Sequence, residues 1–543
     1  MSSLKLRALA GVCALVSAAG LAASASAQTV TTISGGGSTL LGPYWAQAVL
    51  CFDNDTGNKT YLLKGNPVSS ATTLATTESG CPHNKNNLIQ FDATGSGTGQ
   101  AGLLSHAAVI SDTAEGIMFG NTASGGQVFP SIQYGISDNS LVNADLVAYD
   151  KGTNASEVLS FNGNSGTFSS ATSYQGLTFD STGTTTGGST GADYPVAKPL
   201  YGPLIQFPAS IDPVAVTFNP KFGTSSTFNI QNGGVLELSK AAYCGIFTGS
   251  ITDWNNATLT ALNGGVSLTG GVSVTINMFG RSDSSGTTSI FTRHLATVCG
   301  STDYTSGTTT LPAALINPNQ SSGNAAGLFN TASGSTGVAA AVNATKASIA
   351  YIGADFVSPA SAKTGATPGF VLPAAALQNS SGNFEVPTGA TALASFATLA
   401  PPQSTSTGAF NSSDTTSDRR DPTQWVQSTA ANVPLANPTA SGGYPIVGTT
   451  NFIAYTCYAN AAQLATLENF LTFGSTVLAG DILNDASLGQ LPSSNPSVPA
   501  TWTNAIKGTF FPGGDAASLN LFFATAGSGS ANTACSASGV VGG

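Results

Sequence analysis

Three times along this chain, a short run of Gly, Ser and Thr opens directly into a segment with helical apolar spacing. In residues 38–49, Leu40, Leu41, Tyr44, Trp45 and Val49 recur on one helical face, and Asp55-Thr56-Gly57-Asn58 supplies a stop. In residues 285–298, Ile290, Phe291, Leu295 and Val298 repeat the pattern, with Ser285 where an N-cap belongs. The third turn, Gly95-Ser96-Gly97-Thr98-Gly99-Gln100, leads into Leu103 and Leu104. Between such segments lie strand-like runs at 204–207, 214–218, 272–279, 349–352 and 446–455. Strands alternating with helices predict an α/β architecture with largely parallel sheets.

Charge is scarce. Only 8% of the 543 residues are charged, 16 basic against 26 acidic, for a net charge of −10. A nucleic-acid binder needs a phosphate-neutralising basic surface that so few cations do not make. With 41% apolar residues the chain has enough for a core, and its length suggests two or more folding units. Runs rich in Gly, Ser and Thr at 162–192, 300–335 and 380–416 read as surface loops.

Residues 1–27 read as a cleavable signal peptide. Lys5 and Arg7 precede a short apolar run, and Ala25-Ser26-Ala27 supplies small residues at −3 and −1. A lipoprotein anchor would require Cys13, but the apolar run continues past it. Export to the periplasm or the medium is expected, with a mature charge of −12. Six cysteines then remain, an even count that reads as disulfides in an oxidising compartment. They fall into three neighbourhoods, so local pairing would give Cys51–Cys81, Cys244–Cys299 and Cys457–Cys535. There is no CxxC, so no metal site is expected.

Helix N-termini headed by hydroxyl residues present free N–H groups and a positive dipole end, which suits an anion. Any one such turn is ordinary in a chain this rich in Gly and Ser. Arg281 adds weight, because it follows the strand-like run at 272–279 and stands four residues before Ser285. Its guanidinium could grip an oxyanion through two bonds, with Asp283 orienting it. Hydrolase signatures are weak. Gly187-Gly188-Ser189-Thr190-Gly191 fits GxSxG but lies in low complexity. His83, His106 and His294 read as surface or packing residues, Asp53-Asn54-Asp55 as a helix end, and Trp45, Trp254, Trp425 and Trp502 as core.

The chain resembles the phosphate-binding proteins of ABC transporters, especially their DING subgroup. Gly35-Gly36-Gly37-Ser38-Thr39-Leu40 looks like the N-terminal GGGATL turn, Gly95-Ser96-Gly97 like the second phosphate loop, and Ile136-Ser137-Asp138 like the strand end with a buried aspartate. Leu204-Ile205-Gln206-Phe207-Pro208 resembles the crossover between lobes. Residues 238–255, 281–299, 347–359, 418–425 and 443–460 are further matches. Two departures stand out: Thr32-Ile33-Ser34-Gly35 replaces the four residues that name the subgroup, and the stretch between Asp138 and Leu204 looks longer.

The resemblance implies a two-lobed periplasmic-binding-protein fold (type II) with a ligand cleft between lobes. Lobe 1 would combine residues 28–208 and 441–543, and lobe 2 would be 209–440. Phosphate would be held by Thr39, Leu40, Ser96, Asp138, Arg281, Ser285, Gly286 and Thr287, with Asp283 behind Arg281. Asp138 would accept the proton of monohydrogen phosphate and repel sulfate, which has none. A monomer that captures phosphate without a cofactor or covalent chemistry, and delivers it to a membrane permease, is the expectation. A phosphatase-like DING protein and a Gly/Ser/Thr-rich adhesive protein with a vestigial site are the alternatives.

Overall fold

The computed structural model describes residues 31–53, 87–105, 132–141, 200–300, 302–320, 325–357, 371–397, 399–402, 434–474, 482–483, 486–491, 501–512, 521–537 and 540–543, with short pieces within 61–67, 81–84, 111–117 and 159–178 and at 419 and 425. The leader, His83, His106 and the GxSxG at 187–191 lie outside them.

One mixed sheet of ten strands organises the chain. In chain order these are β1 (Thr31–Gly37), β2 (Tyr61–Leu63), β3 (Asn66–Pro67), β4 (Asn87–Asp92), β5 (Tyr134–Ser137), β6 (Leu204–Phe218), β7 (Asn277–Arg281), β8 (Phe329–Ala332), β9 (Ser348–Gly353) and β10 (Val447–Tyr455). Their spatial order is β8-β7-β9-β6-β10-β5-β1-β4-β2-β3. Each flank has a parallel group, β8-β7-β9 on one side and β5-β1-β4-β2 on the other. The antiparallel strands β6 and β10 join them. Sequence patterning anticipated the parallel flanks and missed the antiparallel centre.

β6 explains that miss. The apolar runs at 204–207 and 214–218 belong to one 15-residue strand. It pairs with β10 from Leu204 to Pro213 and with β9 from Val214 to Phe218, with a register shift between Pro208 and Ser210. A bulge re-aims a strand, so a single strand serves both flanks, and the position between residues 208 and 209 lies inside it. The run at 272–279 is strand only from Asn277, and Val272 is exposed. The stretch 300–335, expected to be loop, contains β8 and the first residues of a helix, and the stretch 380–416 contains the helix Gly389–Phe396.

The helices that place the site are α1 (Gly42–Asp53), α2 (Ser96–Ser105), α3 (Lys240–Phe247), α4 (Gly286–Val298), α5 (Gly334–Ala344), α6 (Ala461–Phe473) and α7 (Thr501–Phe510). Trp45 of α1 packs on Phe91 and on Phe470 of α6, which ties the chain's last third to its beginning. Trp425 packs on Trp502 and Phe510 of α7, and Arg419 donates to Thr509 Oγ1 of the same helix. All four tryptophans are buried. The disulfides Cys51–Cys81, Cys244–Cys299 and Cys457–Cys535 are formed, the second tying α3 to the C-cap of α4.

Candidate functional site

The first half of the site is built on close backbone packing. Gly37 takes φ +135°, and a Cβ there would lie 2.1 Å from the Ile136 carbonyl oxygen. A Cβ on Gly99, in the first turn of α2, would lie 2.5 Å from the Gly36 oxygen. These glycines let the start of α2 rest against the end of β1, where Thr94 and Gly95 donate to the Gly37 carbonyl. Ser38 N–H donates to Ile136 O, fixing the turn beside β5. Ser96 heads α2, and its hydroxyl lies 3.2 Å from Asp138 Oδ2 and accepts from Asp138 N–H at 3.2 Å. Thr450 Oγ1, on β10, lies 2.6 Å from Asp138 Oδ1. Asp138 is buried at 3% exposure. Burial pushes its carboxyl above the ordinary value, against hydrogen bonds from Ser38, Thr450 and Ser96 and the charge of Arg281.

The second half comes from β7 and α4. Arg281 ends β7 and is buried, with its backbone N–H on the Tyr351 hydroxyl at 3.2 Å. Its Nε donates to Asp283 Oδ1 at 2.7 Å, and its Nη2 pairs with Asp283 Oδ2. Nη1 donates to Ser335 Oγ at 3.2 Å. Burial alone would raise the Asp283 carboxyl, but the Arg281 guanidinium and the Gly334 N–H hold it below the ordinary value. Ser285 is the N-cap of α4, accepting from Thr288 N–H at 3.2 Å. That leaves its hydroxyl hydrogen able to donate.

The two halves meet. A Cβ on Gly286, the first residue of α4, would lie 2.5 Å from Ser96 Oγ, 2.6 Å from Asp138 Cβ and 2.9 Å from Asn139 N. Thr39 Oγ1 lies 3.2 Å from Ser335 Oγ, which also receives Arg281 Nη1. The three Gly/Ser turns, Arg281 and Asp138 therefore converge, although they are spread from residue 38 to residue 287 of the chain. Thr287 Oγ1 is fully buried without a protein partner among the described residues. A buried hydroxyl left so is costly unless something satisfies it.

Two of the expected donors are engaged within the protein. Leu40 N–H donates to Ser38 Oγ at 3.0 Å, and Ser285 N–H donates to Thr309 O. Three neighbours escaped sequence reasoning: Ser335, Thr450 and Asp212. For Ser335 the signal was present. Ser333-Gly334-Ser335 is a fourth Ser/Gly turn opening a helix, α5, but it lay in a stretch that composition marked as loop. Thr450 and Asp212 sit inside apolar strands, where nothing in the sequence singles them out. His294 is buried packing. Its Nδ1 meets Ala436 O at 2.8 Å and its Nε2 the Tyr243 hydroxyl at 3.1 Å. Asp53 ends α1 and accepts from Ile89 N–H at 2.9 Å. Among the described residues no three His, Cys, Asp or Glu side chains are placed to share a metal ion.

Residues 195–474, just over half of the chain, match the family model described as the PBP superfamily domain. The chain belongs to the PBP superfamily. The chain is 30% identical over 318 residues to Alkaline phosphatase L of Pseudomonas aeruginosa (strain UCBPP-PA14), covering 57% of this chain and 68% of the relative. It is also 30% identical over 331 residues to a Phosphate-binding protein of an unknown prokaryotic organism, covering 59% and 76%. Among solved structures, the high-affinity periplasmic phosphate-binding protein PfluDING has a TM-score of 0.53 at 21% identity, covering 89% of this chain and 94% of the other. An ancestral soluble variant of the human phosphate-binding protein has a TM-score of 0.54 at 22% identity, covering 91% and 100%. At that identity the two structures speak to the fold, which is the two-lobed periplasmic-binding-protein type.

Proposed function

We propose that the chain binds inorganic phosphate between the turn at Thr39, Ser96 and Asp138 on one side and Arg281 with the start of α4 on the other. The observation that carries this reading is a buried carboxylate, Asp138, packed against the capped N-terminus of α4 and within the field of the buried Arg281 guanidinium. An anion-binding site that includes an acceptor suits an anion that carries its own proton. The relative named Phosphate-binding protein supports the same ligand. On this reading Arg281 supplies positive charge, and the Ser96 N–H, the Ser285 and Thr287 hydroxyls and the first N–H groups of α4 supply neutral donors. Asp283 holds the guanidinium in plane, and Ser335 joins it to Thr39. The resemblance to transporter-associated binding proteins extends the proposal to export through a signal peptide and delivery to a membrane permease.

A second reading has its own support, because the relative from Pseudomonas aeruginosa is named a phosphatase. Calorimetry with phosphate and turnover of a chromogenic phosphate ester, each run on the wild type and on Arg281→Ala, separate the two. The binding reading predicts micromolar or tighter phosphate affinity, weakened at least a hundredfold, about 3 kcal/mol, by Arg281→Ala. It also predicts no ester turnover above background. Ester turnover lost in Arg281→Ala would move the assignment to hydrolysis.

A further inference from the structure

Behind Asp138 lies a second buried carboxyl that the binding site does not use directly. Asp212, on β6, is fully buried, and Ser210 Oγ donates to its Oδ1 at 2.7 Å. In the strand register Ser210 lies opposite Thr450 on β10, so Ser210, Asp212 and Thr450 are neighbours across the pair. The Thr450 hydroxyl lies 2.6 Å from Asp138 Oδ1 and 2.5 Å from Asp212 Oδ2. A hydroxyl has one hydrogen to give. It satisfies one of these oxygens, and an ionised oxygen on the other side would face the lone pairs of Thr450 at contact distance. One of the two carboxyls must therefore carry a proton and donate it to Thr450.

We propose that Asp212 is that carboxyl and acts as a positioning residue. Its proton goes to Thr450 Oγ1, so that Thr450 donates to Asp138 and keeps that carboxylate ionised and aimed at the ligand. The assignment follows from surroundings. Asp138 accepts from Ser96 and feels the charge of Arg281, both of which favour its ionised form. Asp212 has Ser210 and Thr450 beside it and faces the negative field of Asp138. Among the described residues, the other ionisable groups that interact with it are Asp355, just past β9, and Tyr44 of α1, and neither offers a positive charge. Burial first, and Asp138 second, push the Asp212 carboxyl up to about 7. The arrangement makes anion binding sensitive to pH through a group that never touches the ligand. As Asp212 ionises, Thr450 is drawn between two carboxylates and a further negative charge appears behind the site, so oxyanion affinity falls with rising pH.

The inference rests on the phosphate reading for its functional consequence, and the test has one arm that does not. In the binding arm, phosphate affinity is followed by calorimetry from pH 5.5 to 9 for the wild type, Asp212→Asn, Thr450→Val and Thr450→Ser. Asn at 212 donates to Thr450 as the protonated acid does, yet cannot ionise. Wild-type affinity is expected to fall about tenfold more than that of Asp212→Asn between pH 6 and 9. Thr450→Ser should keep the wild-type profile, and Thr450→Val should weaken binding and flatten the profile. Superimposable profiles for the wild type and Asp212→Asn would overturn the proposal. In the ligand-free arm, the infrared difference spectrum of wild type minus Asp212→Asn should show a protonated-carboxyl carbonyl band at pH 6 that is gone at pH 9. Absence of that band at pH 6 overturns the assignment whether or not phosphate binds. If the band is present and phosphate does not bind, the proton assignment stands and the phosphate reading fails.

Discussion

At the residue scale, the phosphate proposal gives Asp138 the choice between anions. A carboxylate oxygen beside Ser96 and the head of α4 gains from a ligand that donates a proton and repels one that cannot. Asp138→Asn replaces the repulsive oxygen with an amide that can donate. Sulfate at millimolar excess should then compete with phosphate at least tenfold better than in the wild type, as read by competition calorimetry. Continued indifference to sulfate in the variant would remove the selective role from Asp138. These residues were legible in the sequence for different reasons. Arg281, Ser285 and Asp283 lie within five positions of one another, so their grouping is local. Asp138, Ser96 and Thr39 are separated by up to a hundred residues, and only the resemblance brought them together. Thr450 and Asp212 could not be read at all, because a Thr or an Asp in an apolar strand declares its partner only once the strand register is known.

At the element scale, the start of α4 is held against the opposite half of the molecule by the absence of a side chain. Gly286→Ala would put a methyl group 2.6 Å from Asp138 Cβ, which has no flexible end to swing away. The expected result is a well-folded protein whose phosphate affinity drops at least tenfold, because α4 and Asp138 can no longer close to the same distance. Unchanged affinity would mean that the close approach of α4 and Asp138 does not matter to binding. Helix α4 was legible in outline. Ser285 caps it, and Ile290, Phe291, Leu295 and Val298 are buried as their spacing predicts. The central strands were less legible. A 15-residue strand with a bulge looks like two short strands, because Pro208 interrupts the apolar run. Helix α5 was hidden by its own composition, since small residues build both loops and tightly packed helix starts.

At the scale of the whole molecule, buried titratable groups tie stability to pH. His294 is fully buried, and burial lowers its pKa to about 4. With Nδ1–H donating to Ala436 O, the neutral ring accepts from the Tyr243 hydroxyl at Nε2. In the unfolded chain a histidine titrates near 6.5, so the unfolded state takes up the proton first, and stability falls as pH drops from about 6.5 to about 4. His294→Gln removes that linkage. Its unfolding free energy should decline less than that of the wild type across this window, a difference of roughly 3 kcal/mol when complete. Parallel declines would place the acid sensitivity elsewhere. The three disulfides, which close loops of 30, 55 and 78 residues, were legible from cysteine spacing and an even count once export was assumed. The most direct test of the site as a phosphate receptor uses the purified protein without added ligand. After exhaustive dialysis it is denatured and the released inorganic phosphate is measured against protein concentration. Close to one equivalent from the wild type and almost none from Arg281→Ala is the expected result; no phosphate from the wild type, together with no heat on titration with phosphate, would contradict it.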